Sequence, residues 1–192
     1  MLYDHRNAAT AVRSGWGALA QYTKVSASAT VLRPKNVTPT QASGFTVAGI
    51  TAYQALIDTA RLQPGQSVFI NGGSTSVGSF AIMVAKAAGA ARVGVSASAR
   101  NEEYVRKLGA DDFFDYTKAP LHEQLKAAGH QYDVFMEAVG TMDPTLFVES
   151  PAYLTPNGMF FSVGPQGGGL LRFVWKVLLQ PGFLGGTKRK WK

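Results

Sequence analysis

The stretch Ile70-Asn-Gly-Gly-Ser-Thr-Ser-Val-Gly-Ser-Phe sets three glycines, Gly72, Gly73 and Gly78, between a short apolar run and a segment with helical patterning. The first two permit a tight turn and close backbone approach, and the third lets the helix pack against the strand before it. A helix that starts there aims unpaired N–H groups and the positive end of its dipole at an anion, for which a diphosphate is the natural occupant. By itself the turn reads equally well as a plain strand-to-helix connection. Its context adds to it. About 25 residues further on, where a dinucleotide-binding fold tests the adenosine ribose, stands Arg92-Val-Gly-Val-Ser-Ala-Ser-Ala-Arg-Asn, with no Asp or Glu among residues 93–101. A carboxylate there would accept from the ribose hydroxyls and repel a 2′-phosphate. Ser98 and Arg100 stand there instead and suit a phosphate monoester, which predicts NADP(H) over NAD(H). The plain alternative for Arg100 is a solvent-facing charge, although the dipole disfavours a cation at a helix start.

Other chemistries are harder to place. The 192 residues include no cysteine, which removes a thiolate nucleophile, a disulfide framework and Cys-ligated zinc together. His5, His122 and His130 lack any metal-binding spacing, so the expected mechanism is metal-free. Tyr53, Tyr116 and Lys118 carry exchangeable protons, but Tyr53 reads as a core residue of an apolar helix and Lys118 as a solvated charge, so no catalytic acid is assigned.

The elements around the turn alternate. Apolar strand patterns fall at 67–71, 92–96, 113–116, 134–139 and 158–163, and helical patterns at 78–88, 101–108, 121–128 and 144–154. In the helix at 101–108, Tyr104, Val105 and Leu108 share one side. Repeated strand–helix alternation with short connections predicts an α/β fold, a doubly wound, Rossmann-like parallel sheet covered on both faces. Ahead of it, Trp16 to Pro34 reads as two short strands around a Ser/Ala turn. Thr38-Pro39 reads as a capped helix start, and a second helical run spans 49–60 and stops before Leu62-Gln-Pro-Gly.

The net charge of +7 is concentrated at one end. Six of the 19 basic residues lie in 170–192 with no acidic residue, leaving 13 basic against 12 acidic before them. A nearly neutral body argues against nucleic-acid binding. No stretch is long enough to span a membrane, and nothing marks a signal peptide, so the expectation is a cytoplasmic protein without stable membrane insertion. The apolar run Leu170–Leu179 is expected to cover the open edge or face of the sheet, either by folding back or by forming a homodimer through a two-fold interface.

A set of motifs extends over about three quarters of the chain: Val47-Ala-Gly-Ile-Thr-Ala-Tyr-Gln-Ala-Leu, Leu62-Gln-Pro-Gly-Gln, the 70–78 turn, Leu108-Gly-Ala-Asp, Asp115-Tyr-Thr-Lys, Asp133-Val-Phe-Met-Glu-Ala-Val-Gly and Gly158-Met-Phe-Phe-Ser-Val-Gly. In this order they resemble the medium-chain dehydrogenase/reductases, specifically the zinc-independent quinone oxidoreductase (zeta-crystallin-like) branch. The resemblance implies a diphosphate held by Ser74, Thr75, Ser76 and Val77, a 2′-phosphate end at Ser98, Arg100 and Tyr116, a nicotinamide side at Val139, Gly140, Val163 and Gly164, and Thr51 near the nicotinamide pocket. It departs at Thr75-Ser76, where the family usually has Gly-Gly; the hydroxyls there remain able to serve phosphate oxygens. It also implies that residues 1–36 are the last strands of a β-rich, GroES-like substrate domain, followed by the dinucleotide domain at 37–169 and an apolar, then basic, segment at 170–192.

The expected activity is NADPH-dependent reduction of a small molecule, a quinone, an enone or a polyketide-like substrate, with turnover impaired because most of the substrate domain is missing. The competing expectation keeps the nucleotide fold without the redox step, as a cofactor-binding or assembly protein or a cleft used for cyclisation or isomerisation. A third is a fragment of a longer gene product.

Overall fold

The computed structural model describes residues 2–3, 21–22, 27–140 and 144–163. These divide between Ile50 and Thr51 into two units. In the first, β1 (Leu2–Tyr3) pairs antiparallel with β2 (Thr30–Val31). This corrects part of the expectation for Trp16 to Pro34: the described strand there is two residues long and its partner comes from the start of the chain, while residues 4–20 lie outside the described set. Helix α1 (Pro39–Ser43) starts as the sequence predicts, with proline in its first turn, where no N–H is needed. Thr38 and Gln41 close a reciprocal capping box: the Gln41 N–H donates to Thr38 Oγ1 at 3.2 Å and the Thr38 N–H to Gln41 Oε1 at 2.9 Å.

In the second unit, five parallel strands run in the order β5 (Asp112–Asp115), β4 (Arg92–Ala97), β3 (Ser67–Asn71), β6 (Tyr132–Glu137), β7 (Leu154–Ser162). The chain leaves central β3 to one side for β4 and β5, then crosses to the other for β6 and β7, so the direction of winding reverses between β3 and β6. The pleat sorts the core into two layers. Val68, Ile70, Val93, Val95, Val134, Met136 and Phe161 pack on one face with Ala81, Ile82 and Ala85 of α3 (Ser76–Ala87) and with Ala52, Ala55 and Leu56. The intervening residues Phe69, Phe135 and Phe160 face the other layer with Leu121 and Leu125 of α5 (Leu121–Ala128) and with Phe147 and Tyr153. Helices on both faces make this the doubly wound α/β sheet expected from the alternation.

Two helical expectations change. The run after 49 is α2 (Ile50–Tyr53), followed by wider turns over Gln54–Thr59 that end with the Ala60 N–H donating to Ala55 O at 2.9 Å. The helix expected over 144–154 stops early: α6 is Thr145–Val148, with a short tight turn at Ser150–Ala152. Pro151 supplies no N–H to continue a helical ladder, and β7 begins at Leu154, four residues ahead of Gly158. On α4 (Glu102–Lys107) Val105 is fully buried, while Tyr104 stays half exposed and donates its hydroxyl to Ser79 Oγ at 3.0 Å. The 170–179 segment, expected to cover the sheet or to dimerise, lies outside the described residues.

Candidate functional site

The three glycines are required sterically. Gly72 has φ +88°, and a Cβ there would lie 2.6 Å from Val139 Cγ2; at Gly73 it would lie 2.9 Å from Val95 Cβ. At Gly78 it would collide with the carbonyl oxygen of Gly72, so the first turn of α3 can approach the end of β3 only because that side chain is missing. The Thr75 hydroxyl is spent inside the turn, donating to Gly72 O at 2.8 Å and accepting from Gly78 N–H at 3.0 Å as the N-cap of α3. The one proton of the Thr75 hydroxyl is thus directed into the turn rather than towards the cleft beside it. The Ser76 side chain is exposed. Among the described residues nothing accepts from the amides of Ser74, Ser76 and Val77, which leaves backbone donors at the start of a twelve-residue helix for an anion.

Beside this turn, at the carboxyl ends of the strands and at the point where the winding reverses, is a cleft of about 470 Å³. It is lined by Asn71, Gly72, Ser74, Thr75 and Val139 towards the turn, and by Tyr116, Leu121, His122 and Leu146 further out. An apolar wall with a few polar groups suits a flat heteroaromatic base attached to a polar linker. A smaller recess of about 220 Å³ lies among Thr51, Gln54, Ala55, Thr59, Phe161, Ser162 and Val163. Two groups of sequence-predicted residues are thus brought together: Gly72, Ser74, Thr75, Tyr116 and Val139 around the cleft, and Thr51 and Val163 around the recess. Gly73, Ser76, Val77 and Gly78 form the turn itself, and buried Gly140 follows Val139 with φ +83°.

Ser98 and Arg100 do not line the cleft. Ser98 precedes the short turn Ala99–Asn101 and accepts from Asn101 Nδ2 at 3.1 Å, while Arg100 is exposed. Gly164 lies outside the described residues. Tyr53, expected in the core, is 52% exposed, and Lys118 is exposed as expected.

The sequence reading missed a buried polar row. Asn71, Glu137 and half-buried Ser162 end β3, β6 and β7 and stand in register across the sheet with Ser96, one residue before the end of β4. The Gly72 N–H donates to Ser96 Oγ (2.9 Å), Ser96 donates to Asn71 Oδ1 (2.5 Å), and Asn71 Nδ2 donates to Glu137 Oε1 (3.2 Å). Glu137, only 2% exposed, also accepts from the amides of Val139 (2.9 Å) and Gly140 (2.9 Å) and from the Ser162 hydroxyl (3.1 Å). The available signal was that each apolar run ends on a polar residue.

On the far side of the cleft, Asp115 is buried at the end of β5 and accepts from the Thr117 hydroxyl (2.7 Å) and amide (3.0 Å). The Thr117 hydroxyl, then its amide, hold the Asp115 carboxyl below its ordinary 3.8, against a smaller opposing effect of burial.

The winding reversal, the glycine turn and the helix start together define a Rossmann-like α/β fold. Residues 76–182 match the zinc-binding dehydrogenase family, and the chain belongs to that family, within the medium-chain dehydrogenase/reductase superfamily. Over 163 residues it is 38% identical to the trans-enoyl reductase poxH of Penicillium oxalicum, covering 79% of this chain and 42% of that protein. It is 35% identical over 161 residues to an Arabidopsis thaliana NADPH-dependent alkenal/one oxidoreductase, chloroplastic, covering 79% and 40%. Among solved structures, the quinone oxidoreductase of Thermus thermophilus, also determined in complex with NADPH, superposes with a TM-score of 0.65 at 30% identity, covering 79% of this chain and 48% of that one. The chain therefore spans under half the length of each of these relatives. The family's name notwithstanding, this chain's donor set does not fit zinc: it has no cysteine, and among the described residues no three His, Asp or Glu side chains converge. Among the described residues, no helix is long and apolar enough to cross a membrane.

Proposed function

We propose that this chain provides the NADP(H)-binding part of an oxidoreductase that reduces quinones or enones, polyketide-like enoyl chains included. One observation carries the reading: a glycine turn that tolerates no side chain, opening onto free helix-start amides beside a cleft at the winding reversal. The fit to the cofactor follows from these residues. The amides of Ser74, Ser76 and Val77 hold the diphosphate, and the wall from Tyr116 to Leu146 takes the adenosine. The recess at Thr51, Ser162 and Val163 takes the nicotinamide end. When bound there, the reduced nicotinamide supplies hydride to the acceptor. The protein's part is to orient the partners and to exclude water. The enoyl and alkenal/one reductase names of the relatives support an acceptor with an activated double bond.

The preference for NADPH over NADH rests on Arg100 and Ser98 near the ribose and on the absence of a carboxylate at the end of β4. Arg100 is exposed, so it is free to swing onto a 2′-phosphate as a charge-assisted donor. Calorimetric titration should find NADH bound at least about tenfold more weakly than NADPH, about 1.4 kcal/mol. Arg100→Ala should remove that gap. Equal affinities in the unmutated chain would refute the assignment.

A further inference from the structure

The carboxylate of Glu137 is almost fully buried, and among the described residues it has no ion-pair partner. Burying a charge in this way is costly unless hydrogen bonds replace the lost water. Here four donors do so, and they come from three different places: Asn71 at the end of β3, the Val139–Gly140 turn after β6, and Ser162 at the end of β7. The backbone of Glu137 adds a further tie, its carbonyl accepting from Val163 N–H at 3.0 Å. Val139 lines the larger cleft, while Ser162 and Val163 line the smaller recess. One residue therefore ties the turn beside the cleft to the strand end beside the recess.

The far wall of the cleft, on the adenosine side, has bonds that do not involve Glu137. Thr75 caps α3, Asp115 holds Thr117, and Gln124 Nε2 donates to Asp115 O and Ala119 O, both at 2.8 Å. We propose that Glu137 is a positioning residue chiefly for the nicotinamide half of the site, setting the Val139–Gly140 turn and the end of β7 at the spacing a nicotinamide riboside requires. This rests on the NADP(H) reading above and assigns a separable role within it.

In Glu137→Gln the amide oxygen can keep the bonds at Oε1 to Asn71 and Val139. The amide nitrogen then replaces Oε2, so the Gly140 N–H loses its shorter bond (2.9 Å), meets a donor there and keeps only the longer one to Oε1 (3.1 Å), while Ser162 can turn its hydroxyl to accept. The perturbation therefore falls on the Gly140 side. The probes are NADPH and 2′,5′-ADP, which carries the phosphates and adenosine without nicotinamide, both titrated by calorimetry into the full chain. NADPH binding should weaken about tenfold in Glu137→Gln, while 2′,5′-ADP stays within about twofold. Ser162→Ala, which removes one donor from a half-buried position and is the variant to read if Glu137→Gln does not fold, should weaken NADPH about threefold with 2′,5′-ADP again unchanged. Parallel weakening of both ligands would make Glu137 a general structural residue, and unchanged NADPH affinity in the folded variants would show that it positions nothing; either result overturns the proposal. If the unmutated chain binds neither ligand, the cofactor reading fails first and takes this proposal with it.

Discussion

Replacing Thr75 by alanine tests whether the threonine in this turn is a structural cap or a ligand for phosphate. The hydroxyl makes two bonds, and each has an expected cost. Loss of the acceptor for Gly78 N–H removes an N-cap, about 1 kcal/mol. Loss of the hydroxyl donor to Gly72 O at 2.8 Å, in a buried turn with φ +88°, leaves that carbonyl the Thr75 N–H at 3.0 Å and costs about 1 kcal/mol more. The sum, about 2 kcal/mol, corresponds to a fall in melting temperature of about 4–8 °C for a protein of this size. Thr75→Ser keeps both bonds and should stay within about 0.5 kcal/mol of the unmutated chain. Thr75→Gly should fall between them, since glycine is a tolerable N-cap but offers Gly72 no hydroxyl donor beside the backbone N–H. Equilibrium urea denaturation, with melts as a second measure, gives the three differences on one scale. If Thr75→Ala and Thr75→Ser prove equally stable, the hydroxyl is not bonded within the turn, and the phosphate role read from the sequence regains its ground.

Strands were legible where burial on both faces imposes an unbroken apolar run. Ser67–Asn71 is read to the residue, because β3 is central and Val68, Phe69 and Ile70 are wholly buried. Leu121–Ala128 is read equally well, bounded by Pro120 and by Gly129, whose φ of +67° ends the helix. The segment after Pro144 was not legible, since its apolar residues Leu146, Phe147, Tyr153 and Leu154 serve a helix, a turn and a strand in succession without a clean period. The glycine turn was legible because the glycines act within a few residues of one another. The Ser96–Asn71–Glu137–Ser162 row stayed hidden for the opposite reason. Its members are separated by about 25 residues or more and meet only through strand register, which linear spacing does not express. For Thr75 the sequence shows that a hydroxyl is present in the turn, and only the folded turn shows that its proton goes to Gly72 O.

Two further predictions concern single side chains far from the turn. The Ser150 hydroxyl is fully buried and, among the described residues, has no hydrogen-bond partner, so Ser150→Ala should be neutral or stabilise by about 1 kcal/mol in the same denaturation assay. A loss of stability of that size would show that the hydroxyl has a partner. Asp115 predicts a pH dependence whose sign is fixed by its bonds. The Thr117 hydroxyl and amide favour the charged carboxylate, so its folded-state value lies below the unfolded one. Stability from this group is therefore fully present above the unfolded value, near pH 4, and is lost as the pH falls through the lower, folded value. Asp115→Asn cannot titrate, so the difference in stability between it and the unmutated chain should be constant at neutral pH and shrink on acidification below about pH 4. Thr117→Val, which removes the hydroxyl but not the amide donor, should move the Asp115 carboxyl resonance towards a higher midpoint in an NMR titration. A difference that grows on acidification, or a midpoint unmoved by Thr117→Val, would mean that the loop after β5 is not held by this carboxylate, and the independence of the adenosine end from Glu137 would lose one of its supports.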